Sequence, residues 1–265
     1  MVEYTDQALV LRVGRFKEAD CWVKGYSPSQ GVFTAFAFGG MRSRRRFCGC
    51  LDPLNLLSLR LKKEKGGRYV SLMETGLLAA PRRLRQDAPR LGMMMNCLKF
   101  LEALAPGPEN APAAFALATQ TMAAFEECER LPQAFPALFR WRLTLDQGYR
   151  PELETCHACG ASLRQGEESV RLALRDGRAF CARCGWNQAA EASHWLSRAA
   201  WDILCQAAET PPAAWGGREH RSLDATQWNS TQFSADDVSA AARAADRYVV
   251  MHTGVHWDRF GYRRS

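Results

Sequence analysis

Three observations predict a multidomain α+β chain in which a small β-barrel precedes an α-helical domain with a cysteine-rich insert. Short runs of β-branched and aromatic residues, broken by turn residues, fill the chain from Gln7 to about Met73. Beyond Leu84 the texture changes to Ala, Leu, Met and Phe at helical spacing. Two Cys-x-x-Cys pairs then interrupt that texture between residues 151 and 190. With 265 residues, 47% of them hydrophobic and 24% charged, the chain can build two domains, or three with one small. The same composition excludes collagen-like, disordered and coiled-coil chains.

Five strand runs can be counted, at 7–13, 20–26, 32–38, 51–61 and 68–73. They are separated by 14–19, the turn Ser27-Pro28-Ser29-Gln30-Gly31, a Gly-Arg-rich loop, and 62–67. Five short strands in so few residues suit an OB-fold barrel over residues 1–80, which removes sheet edges and binds oligonucleotides through its loops. An SH3-like barrel is the main competing architecture. Three helices follow. Pro89 opens the first, which runs to about Leu104 before Pro106-Gly107-Pro108; Asn110 caps the second, to Cys128; Pro132 opens the third and Gly148 ends it. Helical texture resumes at 193–208 and again from Ser234, where Ser-Ala-Asp-Asp reads as an N-cap with acids on the first turn, to His252 before Gly254. The helical domain therefore comprises 81–150 and 191–265, with 211–231 as a long loop.

Ten cysteines are not scattered alike. Cys156-His157-Ala158-Cys159 and Cys181-Ala182-Arg183-Cys184 are two Cys-x-x-Cys pairs with 21 residues between them. Each pair bends so that two thiolates aim at one point, and two such knuckles give the tetrahedral sulfur set that zinc prefers in structural sites. Gly160 and Gly185 fit the tight turns. Residues 170–174 and 178–180, joined at Asp176-Gly177, read as a hairpin, so 151–190 is a zinc-ribbon insert holding one structural Zn(2+) through Cys156, Cys159, Cys181 and Cys184. Redox chemistry would need a βαβ context, and disulfides a secreted chain. Four thiolates close the coordination sphere, which excludes a catalytic water, and His157 reads as a surface residue. The other six cysteines read as small core or half-exposed residues, with Cys48 and Cys50 beside an arginine run.

The formal net charge is +7, and its excess lies in the N-terminal third: residues 1–80 hold 13 basic and 7 acidic side chains, whereas 191–265 hold 8 and 9. That distribution points to a polyanion, nucleic acid before membrane, because no basic amphipathic helix appears there. Arg42, Arg44, Arg45 and Arg46 crowd five positions behind Gly39 and Gly40, in a loop able to follow phosphates. Arg15 and Lys17 in the first strand connection, and Lys62, Lys63 and Lys65 in the last, would join them on an OB barrel, with Phe16 and Phe47 as candidate stacking groups. A merely solvated basic loop is the plainer alternative.

No catalytic pattern appears: there is no GxxxxGK[ST], no GxGxxG after a strand, no GxSxG and no HExxH. A zinc deaminase would need HxE with PCxxC, which is absent, so the expectation is a non-enzyme. His252 and His256 read as the end of a helix, and Met93, Met94, Met95 and Phe100 as core. The N-terminus carries Glu3 and Asp6 and lacks the pattern of a signal peptide, and no window reaches the roughly 18 apolar residues of a membrane helix. A soluble, cytoplasmic protein is expected.

The residues assembled so far resemble the RecO family of bacterial DNA-repair proteins. The likeness rests on Ala8-Leu9-Val10-Leu11-Arg12, Glu18-Ala19-Asp20, the turn ending at Gly31, Gly39-Gly40-Met41-Arg42-Ser43-Arg44, and Leu51-Asp52-Pro53-Leu54-Asn55. Leu145-Asp146-Gln147-Gly148-Tyr149-Arg150-Pro151 running into Cys156-His157-Ala158-Cys159-Gly160 extends it. The resemblance implies a recombination mediator that binds single- and double-stranded DNA, anneals complementary strands, and works with RecR and the C-terminal tail of the single-strand-binding protein SSB to load RecA at the nucleoid. Residues 215–231 and 254–265 match it loosely. An RNA-binding OB and zinc-ribbon protein, which would prefer RNA over DNA, is the alternative.

Overall fold

The computed structural model describes residues 2–63, 69–165, 169–186, 192–215, 233–259 and 261–265. The chain forms two compact units, one of residues 1–91 with 105–122, the other of 92–104 with 123–265.

In the first unit, strands β1 (Val2–Arg15), β2 (Cys21–Ser27), β3 (Gly31–Ala37), β4 (Leu56–Lys63) and β5 (Val70–Ala79) form a closed barrel in the order β1-β2-β3-β5-β4. All neighbours are antiparallel except β3 and β5, which pair in parallel at Ala35↔Val70 and Phe36↔Ser71. The two-residue period sorts the side chains. Ala8, Val10, Cys21, Val23, Phe33, Ala35, Ala37, Leu57, Leu59, Leu61 and Leu72 face inward as one core.

Three strand limits differ by five or more residues from those expected of the sequence, the first strand starting at Val2 and not at Gln7 through its pairing with β4. The fourth strand starts at Leu56, not near residue 51, because Pro53 has no N–H and Leu54 takes φ 71°, outside the extended region. The segment instead makes a turn fixed by backbone bonds between Val10 and Leu54 and between Val10 and Asn55, with the buried Asn55 amide donating to the Cys50 carbonyl at 2.8 Å. The fifth strand continues past Met73 to Ala79, since Glu74, Thr75 and Gly76 pair with Arg60, Leu59 and Ser58 of β4, and two register shifts leave Met73 and Leu78 without a partner position opposite them on β4.

A short helix α1 (Arg83–Gln86) precedes α2 (Ala88–Leu104) and α3 (Ala111–Glu127). In the second unit, α4 (Phe135–Asp146) follows with Pro136 in its first turn, close to the expected helix. Next come β6 (Val170–Ala173), β7 (Ala179–Cys181), the short helix α5 (Ala182–Gly185), β8 (Ser193–Leu196), α6 (Arg198–Glu209), a 3₁₀ turn (Pro212–Trp215) and α7 (Ala235–Thr253). Strands β9 (Val255–Trp257) and β10 (Tyr262–Arg264) end the chain as an antiparallel pair.

Residues 193–196, expected to be helical, are instead the third strand of a β7-β6-β8 sheet. The helix starts only after Ser197, whose hydroxyl accepts from the Ala200 N–H at 3.1 Å. The expected cap of α7 is present as a capping box: the Ser234 hydroxyl accepts from the Asp237 N–H, and the Asp237 carboxylate accepts from the Ser234 N–H. Trp141 is fully buried, and its indole N–H donates to the Leu204 carbonyl at 3.0 Å, tying α4 to α6. Of the four residues expected in the core, Met94 and Phe100 are buried, whereas Met93 and Met95 are only half-buried. No helix among the described residues is long and apolar enough to cross a membrane. Most of the expected 211–231 loop lies outside the described residues.

Candidate metal centre and nucleic-acid interface

The four cysteines of the two Cys-x-x-Cys pairs meet. Their sulfurs all lie within 4.8 Å of one another, and Cys159 and Cys181 are 3.9 Å apart. A tetrahedral zinc site with Zn–S bonds of about 2.3 Å needs sulfurs about 3.8 Å apart, so the donor set fits such an ion with little movement. The first knuckle is closed by the Gly160 N–H on the Cys156 carbonyl and the Cys156 N–H on the Ala161 carbonyl, with Gly160 at φ 69°. Gly185 serves a different purpose from the expected turn. It ends α5, where a Cβ would stand 2.7 Å from the Trp195 ring, so its lack of a side chain lets Trp195 and Arg171 pack against the second knuckle.

Electrostatics agree with the geometry. Burial alone would raise the Cys156 thiol, but N–H groups of Cys181, Cys159 and Ala158 and the Cys159 thiol aim at its sulfur and bring it down to about 6. Cys184 is pushed up to about 12, chiefly because its thiol donates to Cys159 and Cys181. Four sulfurs this close cannot all carry charge unless a cation stands among them. His157 takes no part: its Nδ1 faces the Glu152 carboxylate at 3.0 Å and its ring abuts Phe180. His252 is turned to the Leu174 carbonyl at 2.8 Å, and His256 to the Gly254 carbonyl.

The basic residues of the barrel come from three separate segments, and strand register brings them to one end. Arg15 pairs with Cys21, which pairs with Ala37; two residues earlier on β3, Ala35 pairs with Val70, which pairs with Lys63. Strands lie about 4.8 Å apart, so Arg15 and Lys17 flank the end of β3 from one side while Lys62 and Lys63 flank it from the other. The arginine loop is anchored at the same end. The Met41 N–H donates to the Ala19 carbonyl, the Gly39 N–H to Asp20, and the Arg46 guanidinium to the Phe38 carbonyl at 2.6 Å. Arg44 and Arg45 are exposed, and Arg42 approaches Glu18 at 3.7 Å. Lys65 lies outside the described residues.

The expectation for Phe47 as a stacking group is overturned. Its ring is 1% exposed and belongs to the barrel core, with Arg46 lying over it. The aromatic surface at this end is built instead from Phe16, Phe36, Phe38 and Tyr69, of which only Phe16 is among the expected stacking groups. Even alternation from the buried Phe33 is the sequence signal that Phe36 and Phe38 face outward. Cys48 is exposed with its thiol against the Arg44 and Arg45 carbonyls, whereas Cys50 is buried and its thiol is raised by burial first and by Cys48 second.

Comparison with known proteins places this geometry. The family description Recombination protein O N terminal matches residues 1–79, and Recombination protein O C terminal matches 85–216. The DNA repair protein RecO of Oleidesulfovibrio alaskensis is 40% identical over 263 residues, covering 99% of this chain and 100% of that protein. The chain belongs to the RecO family. Its likeness to other RecO proteins extends to that of Nitratidesulfovibrio vulgaris strain Hildenborough, at 39% over 265 residues, and that of Maridesulfovibrio salexigens, at 32% over 263, each covering 99% of this chain and all of the relative. It is thus a DNA-repair protein of the RecO type, and the resemblance read from its N-terminal loop and first cysteine knuckle is shown along the whole chain.

Proposed function

We propose that this RecO family member is a recombination mediator: it binds single- and double-stranded DNA, anneals complementary strands, and with RecR loads RecA onto DNA coated by SSB, whose C-terminal tail it captures. The work is cytoplasmic, at the nucleoid, and involves no catalysis. Residues 1–80 hold DNA, the helical domain at 81–150 and 191–265 serves partners, and the insert at 151–190 carries one structural zinc on Cys156, Cys159, Cys181 and Cys184. The observation that supports this reading best is the convergence of three basic segments on one end of an OB-fold barrel in a chain related to DNA-repair proteins along its whole length.

Phosphates are assigned to Arg15, Lys17, Arg42, Arg44, Arg45, Arg46, Lys62, Lys63 and Lys65, which offer charge without a base-reading element in a groove. Affinity should then depend steeply on salt. Each phosphate contact on duplex DNA contributes about −0.9 to the slope of log affinity against log salt. Replacing both Arg44 and Arg45 by Ala is expected to weaken duplex binding and flatten the slope by about 1.8, read by fluorescence anisotropy across a salt series. An unchanged slope would move the phosphate contacts elsewhere.

A further inference from the structure

Resting on the DNA-binding reading above, we propose that the Phe16, Phe36, Phe38 and Tyr69 rings are a stacking platform for unpaired nucleobases, which gives the barrel its means of telling single strands from duplex.

The rings form one cluster. Phe16 meets Phe36 at 5.4 Å and Phe38 at 6.3 Å between centroids, and Tyr69 meets Phe36 at 5.9 Å and Phe38 at 6.2 Å, all edge-to-face. Edge-to-face rings hold one another in place, so the platform is fixed before anything binds. None of the four belongs to the barrel core, which Phe33, Ala35 and Ala37 supply from the opposite face of β3. Phe16, Phe38 and Tyr69 are each 41% exposed, a contiguous apolar surface for which the barrel's own stability has no use. Beside Phe36 on β2 lies Trp22, whose ring covers Gly14 so closely that a Cβ there would stand 2.2 Å from it; the aromatic row therefore continues across the sheet.

What surrounds the rings selects the occupant. The Lys17 ammonium stands 5.5 Å from the Phe16 centroid, Arg46 is bonded to the Phe38 carbonyl, and Lys63 pairs with Val70, the neighbour of Tyr69 in the chain. Aromatic faces inside a cationic rim match a strand whose bases are free to stack while its phosphates lie against the rim. Duplex bases are stacked on one another and present only edges and phosphates, so duplex DNA would use the rim and not the rings.

The test starts with the unmodified full-length chain, so its first result is independent of how any variant folds. Anisotropy titrations compare oligo(dT), an abasic deoxyribose-phosphate oligomer of equal length, and a duplex. Oligo(dT) is expected to bind at least about fivefold more tightly than the abasic oligomer, the lower end of what one stacked base contributes. Phe38→Leu and Tyr69→Leu, which keep apolar bulk but remove the π face, should each cost about fivefold or more on oligo(dT) and nothing on the abasic oligomer, and Phe38→Tyr should retain affinity. Equal affinity for oligo(dT) and the abasic oligomer, or leucine variants that bind oligo(dT) unchanged as they would if the rings held a protein, overturns the platform while leaving the phosphate contacts standing. If the unmodified chain binds none of the three at low salt, the DNA-binding reading itself fails.

Discussion

Zinc removal is expected to lower the melting temperature by about 8–16 °C and Cys181→Ser to abolish stoichiometric metal. The four sulfurs are preassembled within 4.8 Å, so the binding free energy of the ion adds to folding free energy. Free metal at a thousandfold excess over its dissociation constant stabilises by about 4.1 kcal/mol, and in a unit of this size each kcal/mol moves the midpoint by about 2–4 °C. The effect should not stay local. The Gly177 hairpin lies against Pro151 and Tyr248, the Tyr248 hydroxyl donates to the Tyr149 carbonyl, and His252 meets the Leu174 carbonyl, so the ribbon is knit into α7. Acid acts in the same direction, because each thiolate that regains a proton is lost as a ligand and affinity falls as pH falls. Elemental analysis of reduced, metal-replete protein decides the matter: well under one equivalent of zinc, or a chelator that leaves the midpoint unmoved, contradicts the structural role.

Asp246→Ala is expected to destabilise the protein by about 2–3 kcal/mol, and by more than Arg140→Met does. Arg140 on α4 is 11% exposed and donates from Nε and Nη2 to one Asp246 oxygen at 2.9 and 2.6 Å, and from Nη1 to Asn96 and Tyr262 at 2.7 Å. Four elements, α2, α4, α7 and β10, thus converge on one guanidinium. Removing the carboxylate leaves a buried cation with two neutral partners, whereas removing the cation leaves Asp246, which is 47% exposed, to be hydrated. The half-exposed carboxylate is why the expected loss falls below that of a fully buried pair. Urea denaturation of the two variants gives the order directly, and Arg140→Met proving the costlier change would contradict this account of the network.

The sequence is most informative where structure is local. The four-cysteine cluster is legible because the two cysteines of each knuckle lie three residues apart and the hairpin between them brings the knuckles together; nothing distant is needed to place Cys156 beside Cys181. The barrel strands are legible from the β-branched runs, but their limits are not, since the left-handed φ of Leu54 and the register shifts in β5 are set by pairing partners. Residues 193–196 read as helix because His194-Trp195 sits beside a helical run, and only pairing with β6 makes the segment a strand. The interface is half legible. Arginine crowding is visible in the chain, yet which aromatic accompanies it depends on side: Phe47 looks available by adjacency and closes the core, while Phe38 and Tyr69, remote in sequence, meet at the ends of β3 and β5.

Strand annealing tests the central claim most directly. Complementary DNA strands are mixed bare, coated with intact SSB, or coated with SSB lacking its C-terminal tail, and pairing is followed with and without this protein. The account predicts acceleration on bare strands and on the intact coat, and loss of that acceleration on the tail-less coat, because the barrel then holds DNA with no means of engaging the coat. Equal acceleration on both coats, or a preference for RNA at the same salt, would contradict it and favour an RNA-binding barrel and ribbon.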